Sequence, residues 1–407
     1  MLTTDSNQNI LICTELDTLH FDFKAGDSIY LSAVVSDNDT VQTLIVGIRK
    51  NVQFNHAYQK THNGEIEICI PKISELVNIA LAITDVGLMD SNMINHKGRY
   101  YQEVLHQFLP FKKAPFIVYL DSVMQSKTTD QQYNLYFTTK MNACTYNWEG
   151  KGNFRKDSAI LQISSFNGLD PLTDRLNDFK DFADRSYFSH FFEQHQTYYD
   201  SLLLDFKKQI PVREFKNWLA SQFDTQFAQP INYIKITFSP LEFGAHGMQQ
   251  FQDNGFSAVL AFVAPAIKKP DSSELYNKLA NWKMVFTELD HAYNNFISKS
   301  YEKQIDLALR DTKKWGTGMI SGIYPAPLLI FDEYMTWGLF SLYCYDHLSP
   351  EELAQEMQYM NHFMVNRRKF FKFGAFNQAL LDLYKKKSPG QRVQDLYPAI
   401  ISWCKQQ

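Results

Sequence analysis

The segment SSELYNKLANWKMVFTELDHAYNNFI, residues 272–297, decides how the rest of this chain is read. Leu275, Leu279, Trp282, Phe286, Leu289, Tyr293 and Phe296 recur at steps of four and three, the spacing that lines one side of an α-helix and needs a core to cover it. At about 100° per residue the other side carries Asn277, Asn281, Met284, Glu288, His291 and Asn295, with Thr287 beside them. Glu288 and His291 then point the same way, about 60° apart around the axis. Asp271 and Glu274 are spaced as a capping box, so the helix is expected to open near residue 272. A polar stripe of this kind is either a solvated face or the wall of a site.

Thr287-Glu288-Leu289-Asp290-His291 has the frame of H-E-x-x-H, in which two histidines one turn apart hold zinc and the glutamate acts as general base on the metal-bound water. Threonine stands where the first histidine belongs, and a hydroxyl is a poor ligand for zinc. Outward from this helix, residues 326–346 form a helix that is apolar nearly all round and therefore buried. It carries Asp332 and Glu333. Two readings stand for them: first-turn acids that complement the helix dipole, or, for Glu333, a metal ligand supplied by a following helix. On the other side, strands at 231–238 and 256–263 flank the loop 239–248, whose His246 is a candidate for the missing imidazole. An edge strand beside the motif helix would let an extended peptide add to the sheet.

The chain has 407 residues with 40 Lys+Arg against 44 Asp+Glu, a net charge of −4, and is 45% hydrophobic and 15% aromatic. This excludes a disordered chain, and near-neutral charge argues against nucleic acid as a partner. The densest basic run, Arg367, Arg368, Lys369 and Lys372, alternates with Phe370, Phe371 and Phe373; it reads as an amphipathic segment with snorkelling cations, able at most to grip an anion. Five scattered cysteines suggest neither a zinc ribbon nor a disulfide framework, and no run is long enough for a transmembrane helix. The opening residues lack a signal peptide, which points to the cytoplasm unless an export signal has been removed.

The fold class expected is α+β and predominantly helical. Residues 1–71 read as a leading β unit, 72–228 as a helical domain, and 229–407 as the motif region with its C-terminal helices. Ser349-Pro350-Glu351-Glu352 supplies cap, first-turn proline and capping-box glutamate for a helix from 350.

Several segments together carry a resemblance to a known family. They are Ser74-Glu75-Leu76-Val77-Asn78-Ile79-Ala80-Leu81-Ala82-Ile83-Thr84, Tyr100-Tyr101, Met141-Asn142-Ala143-Cys144, Phe238-Ser239-Pro240-Leu241, Phe286 to His291, and Glu333-Tyr334-Met335-Thr336-Trp337. With these the chain resembles a bacterial family of domains of unknown function, best known from Bacteroidetes and related to gluzincin-type zinc metallopeptidases. The resemblance spans about 74–346 and implies a zincin-like body. In the related domains H-E-x-x-H stands at the position of 287–291, and the third ligand lies on a later helix, which Glu333 matches. It implies zinc, a peptide or protein substrate, and hydrolysis by metal-activated water.

Two constructions are open if metal binds. In one, His291, Glu333 and His246 hold zinc while Glu288 serves as general base. In the other, Glu288 joins His291 and Glu333 as a ligand and no base remains. Tyr324 and Tyr334 are the candidate oxyanion donors. The competing function is a non-catalytic peptide- or glycan-binding protein that retains the cleft.

Overall fold

The computed structural model describes residues 2–3, 8–13, 18–23, 28–36, 39–48, 52–150, 152–160, 163, 165–166, 168–224, 230–244, 246–316, 324 and 326–407. The chain is α+β and mostly helical. At the N-terminus, Gln8–Cys13 pairs antiparallel with Thr18–Phe23, and Asp39–Ile48 pairs antiparallel with Ser28–Ser36 and parallel with Leu2–Thr3. Strands are expected in this leading segment, and Leu2–Thr3 and Thr18–Phe23 are additions to those the sequence pattern marks.

One strand of the 1–71 segment, however, joins a different sheet. Ile66–Cys69 (β1) runs parallel to Tyr233–Phe238 (β2), with Glu67 opposite Lys235 and their side chains 3.6 Å apart. Ile66 and Ile68 pack toward the main core, which is why this strand leaves the N-terminal strands. Between β1 and β2 come the helices Lys72–Ala82 (α1) and Thr129–Ala143 (α2), the latter opened by a Thr128/Gln131 capping box. Two further strands follow β2, namely Gly247–Asp253 (β3) and Phe256–Val263 (β4). The strand order is β3-β4-β2-β1, with β4 parallel to β2 and antiparallel to β3, so β3 is an edge.

β3 has weak alternation because Gln249, Gln250 and Gln252 dominate it, and the sequence reading stops short of it. Its signal was the turn. Asn254 and Gly255 adopt φ of 50° and 73°, the paired left-handed conformation of a two-residue hairpin loop that Asn-Gly favours. The sheet divides two cores: Ile234, Ile236, Val259 and Ala261 face the large helical one, while Tyr233, Ala258, Leu260 and Phe262 face a smaller one with Phe54, Met141 and Cys144.

The motif helix is two helices. Glu274–Leu289 (α3) is capped by Ser273, whose hydroxyl accepts from the Tyr276 N–H at 3.1 Å, so the helix opens two residues later than the Asp271 box suggests. It stops at Asp290, and His291–Ser300 (α4) begins there. The Asp290 carbonyl is shared by the N–H groups of Tyr293 and Asn294, and its buried carboxylate accepts the Thr336 hydroxyl at 3.2 Å. The Asp290 backbone stays helical through this junction, and the Thr336 bond is a tertiary contact that helical periodicity does not show. Phe188–Gln194 and Gln196–Gln209 are likewise consecutive helices, with His195 between them.

Pro327–His347 (α5) is the buried helix anticipated at 326–346, packed against α3, α4 and two later helices, Pro350–His362 (α6) and Phe373–Lys386 (α7). The Ser349/Glu352 capping box opens α6 as expected. Two ion pairs are sealed in the body: Lys140 with Glu242, and Lys283 with Glu356, each at 2.5 Å. Among the described residues no helix is long and apolar enough to cross a membrane.

Candidate functional site

Glu288 ends α3, His291 opens α4, and Glu333 sits in α5, which packs against both helices. Glu333 is buried, with 6% of its surface exposed. Its Oε1 accepts the Trp337 indole N–H at 2.9 Å and also receives the Arg368 guanidinium. A second nitrogen of Arg368 donates to the Tyr324 hydroxyl at 2.9 Å. The guanidinium carbon lies 5.4 Å from the Trp337 ring centre and 5.2 Å from that of Phe370, within cation–π range.

Arg368 reaches this place by unusual backbone. Phe363–Arg367 form a π-turn, in which the Arg368 N–H bonds the Phe363 carbonyl at 3.0 Å, and Lys369 follows at φ 65°. The chain then doubles back, the Phe370 N–H bonding the Met364 carbonyl at 2.9 Å. Phe370 and Phe373 are fully buried. The basic run is thus more than a snorkelling surface: Arg367 and Lys369 are exposed, while Arg368 turns inward onto Glu333. Because Lys369 holds a left-handed conformation that costs an L residue about 1 kcal/mol or more, Lys369→Gly is expected to stabilise the fold by about 0.5 kcal/mol, after its own greater unfolded-state freedom is deducted. Urea unfolding checks this; a loss above about 1 kcal/mol would show that the lysine side chain, not the backbone, holds the turn.

The charges follow from burial and partners. Burial alone would push the Glu333 carboxyl up, but Arg368, helped by His291 and the Trp337 bond, outweighs it and holds Glu333 below the usual range. Glu288 has no such partner: burial, and then the Glu333 charge, push it up to about 8. Burial pushes His291 down, despite Glu333. At neutral pH the acid Glu288 is therefore mostly protonated and His291 uncharged, and Arg368 and Glu333 are the charges of the site.

The donor set does not fit zinc. Among the described residues no group of three His, Cys, Asp or Glu side chains is placed to hold a metal ion. Glu333 is engaged by Arg368, and the Thr287 hydroxyl donates to the Lys283 carbonyl of its own helix at 2.8 Å. His246 is turned onto its own loop, its Nε2 bonding the Phe243 carbonyl at 3.1 Å. His291 Nδ1 lies 3.5 Å from the Thr336 hydroxyl. Of the two tyrosines, Tyr324 stands at the site beside Arg368. The hydroxyl of fully buried Tyr334 is occupied, donating to the Trp315 carbonyl at 2.8 Å and accepting the Lys372 N–H at 3.1 Å.

Sequence reasoning singled out Glu288, His291 and Glu333, which the fold brings into mutual electrostatic range, and gave Arg368 no role in the site. It also passed over Tyr133 of α2. The Tyr133 hydroxyl donates to the His246 carbonyl at 2.9 Å, and after burial the Glu288 charge is what most opposes its ionisation. A cavity of about 490 Å³ lies elsewhere, lined by Tyr100, Glu103, His195 and Tyr198. Comparison of the chain with protein-family models, curated proteins and solved structures finds no match.

Proposed function

We propose that this chain is a peptide-binding protein on a metallopeptidase-like plan, in which the cleft is kept and peptide-bond hydrolysis is lost. The observation that carries the reading is the ion pair of Arg368 with Glu333. The zinc reading requires that carboxylate as third ligand, and here a guanidinium holds it. Thr287 removes a second ligand, and Glu288 is mostly protonated at neutral pH, the wrong state for a general base. A cleft for an extended peptide would lie beside α3 and the edge strand β3, which pack together, β3 pairing with no second strand among the described residues.

The test is incubation of protein purified without chelator with a mixed synthetic peptide library, followed by mass spectrometry of retained and released peptides. Retention of intact peptides with no cleavage products is expected, together with far less than one zinc per chain. Cleavage that disappears in Glu288→Gln, accompanied by stoichiometric zinc, would overturn the reading.

A further inference from the structure

We propose that Arg368 is the resident cation of this site, standing where the peptidase plan puts its metal, and that it receives a carboxylate group of the bound peptide. The carboxylate assignment rests on the peptide-binding reading above; the cation assignment does not.

A buried carboxylate such as Glu333 needs a countercharge, and in this chain the guanidinium supplies it. Arg368 does more than neutralise one acid. It contacts Glu333 of α5, Tyr324 and Met364, and its charge is also felt by Glu288 of α3, His291 of α4 and Tyr133 of α2. The π-turn and the left-handed Lys369 that deliver it are costly backbone features, of a kind that persists where a fold must place one group. The Trp337 and Phe370 rings both lie within cation–π range of the guanidinium.

The group has capacity to spare. A guanidinium carries five N–H donors. Among the described residues the Arg368 donors go to Glu333, to Tyr324 and, at 3.9 Å, to the sulfur of Met364. Its side chain stays 26% exposed against 8% for the Glu333 side chain, so the pair is open on the arginine side. The planar fork matches a carboxylate, and because Glu333 already balances the guanidinium charge, a monoanion leaves less excess negative charge there than a phosphate dianion would. Among the neighbours, Tyr324 accepts from Arg368 and turns its own O–H to Glu333, while the protonated acid Glu288 can donate.

Two measurements test the proposal. The first compares binding, by fluorescence anisotropy, of labelled peptides with a free C-terminus, with an amidated C-terminus but an internal Glu, and with neither carboxylate. Free-acid or Glu-bearing peptides should bind at least about tenfold tighter than the carboxylate-free one, the preferred member showing whether terminus or side chain is received. Arg368→Lys should lose most of that preference. Because Arg368→Ala alone leaves Glu333 buried and unpaired, Arg368→Ala/Glu333→Gln is the companion variant, and it should lose the preference altogether. Equal binding of all three peptides, or a preference unchanged in both variants, overturns the carboxylate assignment.

The second measurement needs no peptide. Thr287→His with Arg368→Ala frees Glu333 beside two histidines and should take up about one zinc per chain by elemental analysis, whereas Thr287→His alone should not. Equal zinc uptake by both overturns Arg368 as the resident cation. No binding of any peptide alongside that zinc difference would remove the peptide reading and leave the cation assignment standing.

Discussion

Replacing Lys140 with Met should destabilise the protein by about 3–5 kcal/mol at pH 8, the scale seen when one partner of a buried ion pair is removed. Lys140 on α2 and Glu242, just beyond β2, meet at 2.5 Å with side chains only 2% and 1% exposed. The ammonium also lies 5.4 Å from the Phe262 ring centre and 5.5 Å from that of Tyr136, so aromatic rings flank the pair. Burial already pushes the Glu242 carboxyl up in spite of Lys140; without the lysine it must take a proton or stay charged in an apolar core. The penalty should therefore shrink toward pH 5, where protonation is easy. Lys140→Met/Glu242→Leu removes both charges and should recover most of the loss. Urea unfolding of the three proteins at the two pH values checks this. A single-variant loss under about 1 kcal/mol would mean that water reaches the pair. The consequence extends to the site, because α2 also carries Tyr133, which holds the loop carbonyl of His246 between Glu242 and β3.

How far the chain was legible depends on where the determining contacts lie. Local signals sufficed for α6, because Ser349, Pro350 and Glu352 act within one turn, and for α5, because an all-round apolar helix has only one place to go. They did not suffice at Asp290. The stripe from Leu275 to Phe296 runs through it without interruption, and the Asp290 carboxyl bonds Thr336, 46 residues away. The edge strand failed for the opposite reason: its local signal, Asn254-Gly255, was present, but three glutamines hid the alternation. In the site, Glu333 reads from sequence either as an acid complementing the helix dipole or as a metal ligand, and in the structure its partner is Arg368. Arg367, Arg368, Lys369 and Lys372 look alike in sequence, and only the π-turn and the left-handed Lys369 decide which of them turns inward.

Stability of the wild-type protein should fall as pH rises from about 5 to 9, by several kcal/mol, and Glu288→Gln and Glu75→Gln should each remove part of that fall. Burial raises Glu75 to about 7, Glu288 to about 8 and Asp332 to about 7, all well above the value of about 4 that such groups have in an unfolded chain. Between those limits the native state keeps protons that the unfolded state releases. It therefore binds more protons, and stability is full below the unfolded values and is lost as pH climbs through the folded ones. Glu333 runs the other way, its lowered value giving stability that is lost on acidification, but that lies below the window considered. Glu75 is fully buried, its Oε1 accepting the Tyr100 hydroxyl at 2.6 Å, and glutamine keeps that acceptor without the ionisation. Each variant should gain about 2 kcal/mol over wild type at pH 9 and little at pH 5.5, read from urea midpoints. A flat wild-type profile, unaltered by either substitution, would contradict the assignment. The Glu288 arm separates the two functional readings: a general base must be ionised at its working pH, whereas an acid that holds its proton to about 8 serves as a hydrogen-bond donor. Glu288→Gln, itself a donor, should then leave carboxylate-peptide affinity near wild type at pH 6.5 and abolish any weakening of that affinity above pH 8.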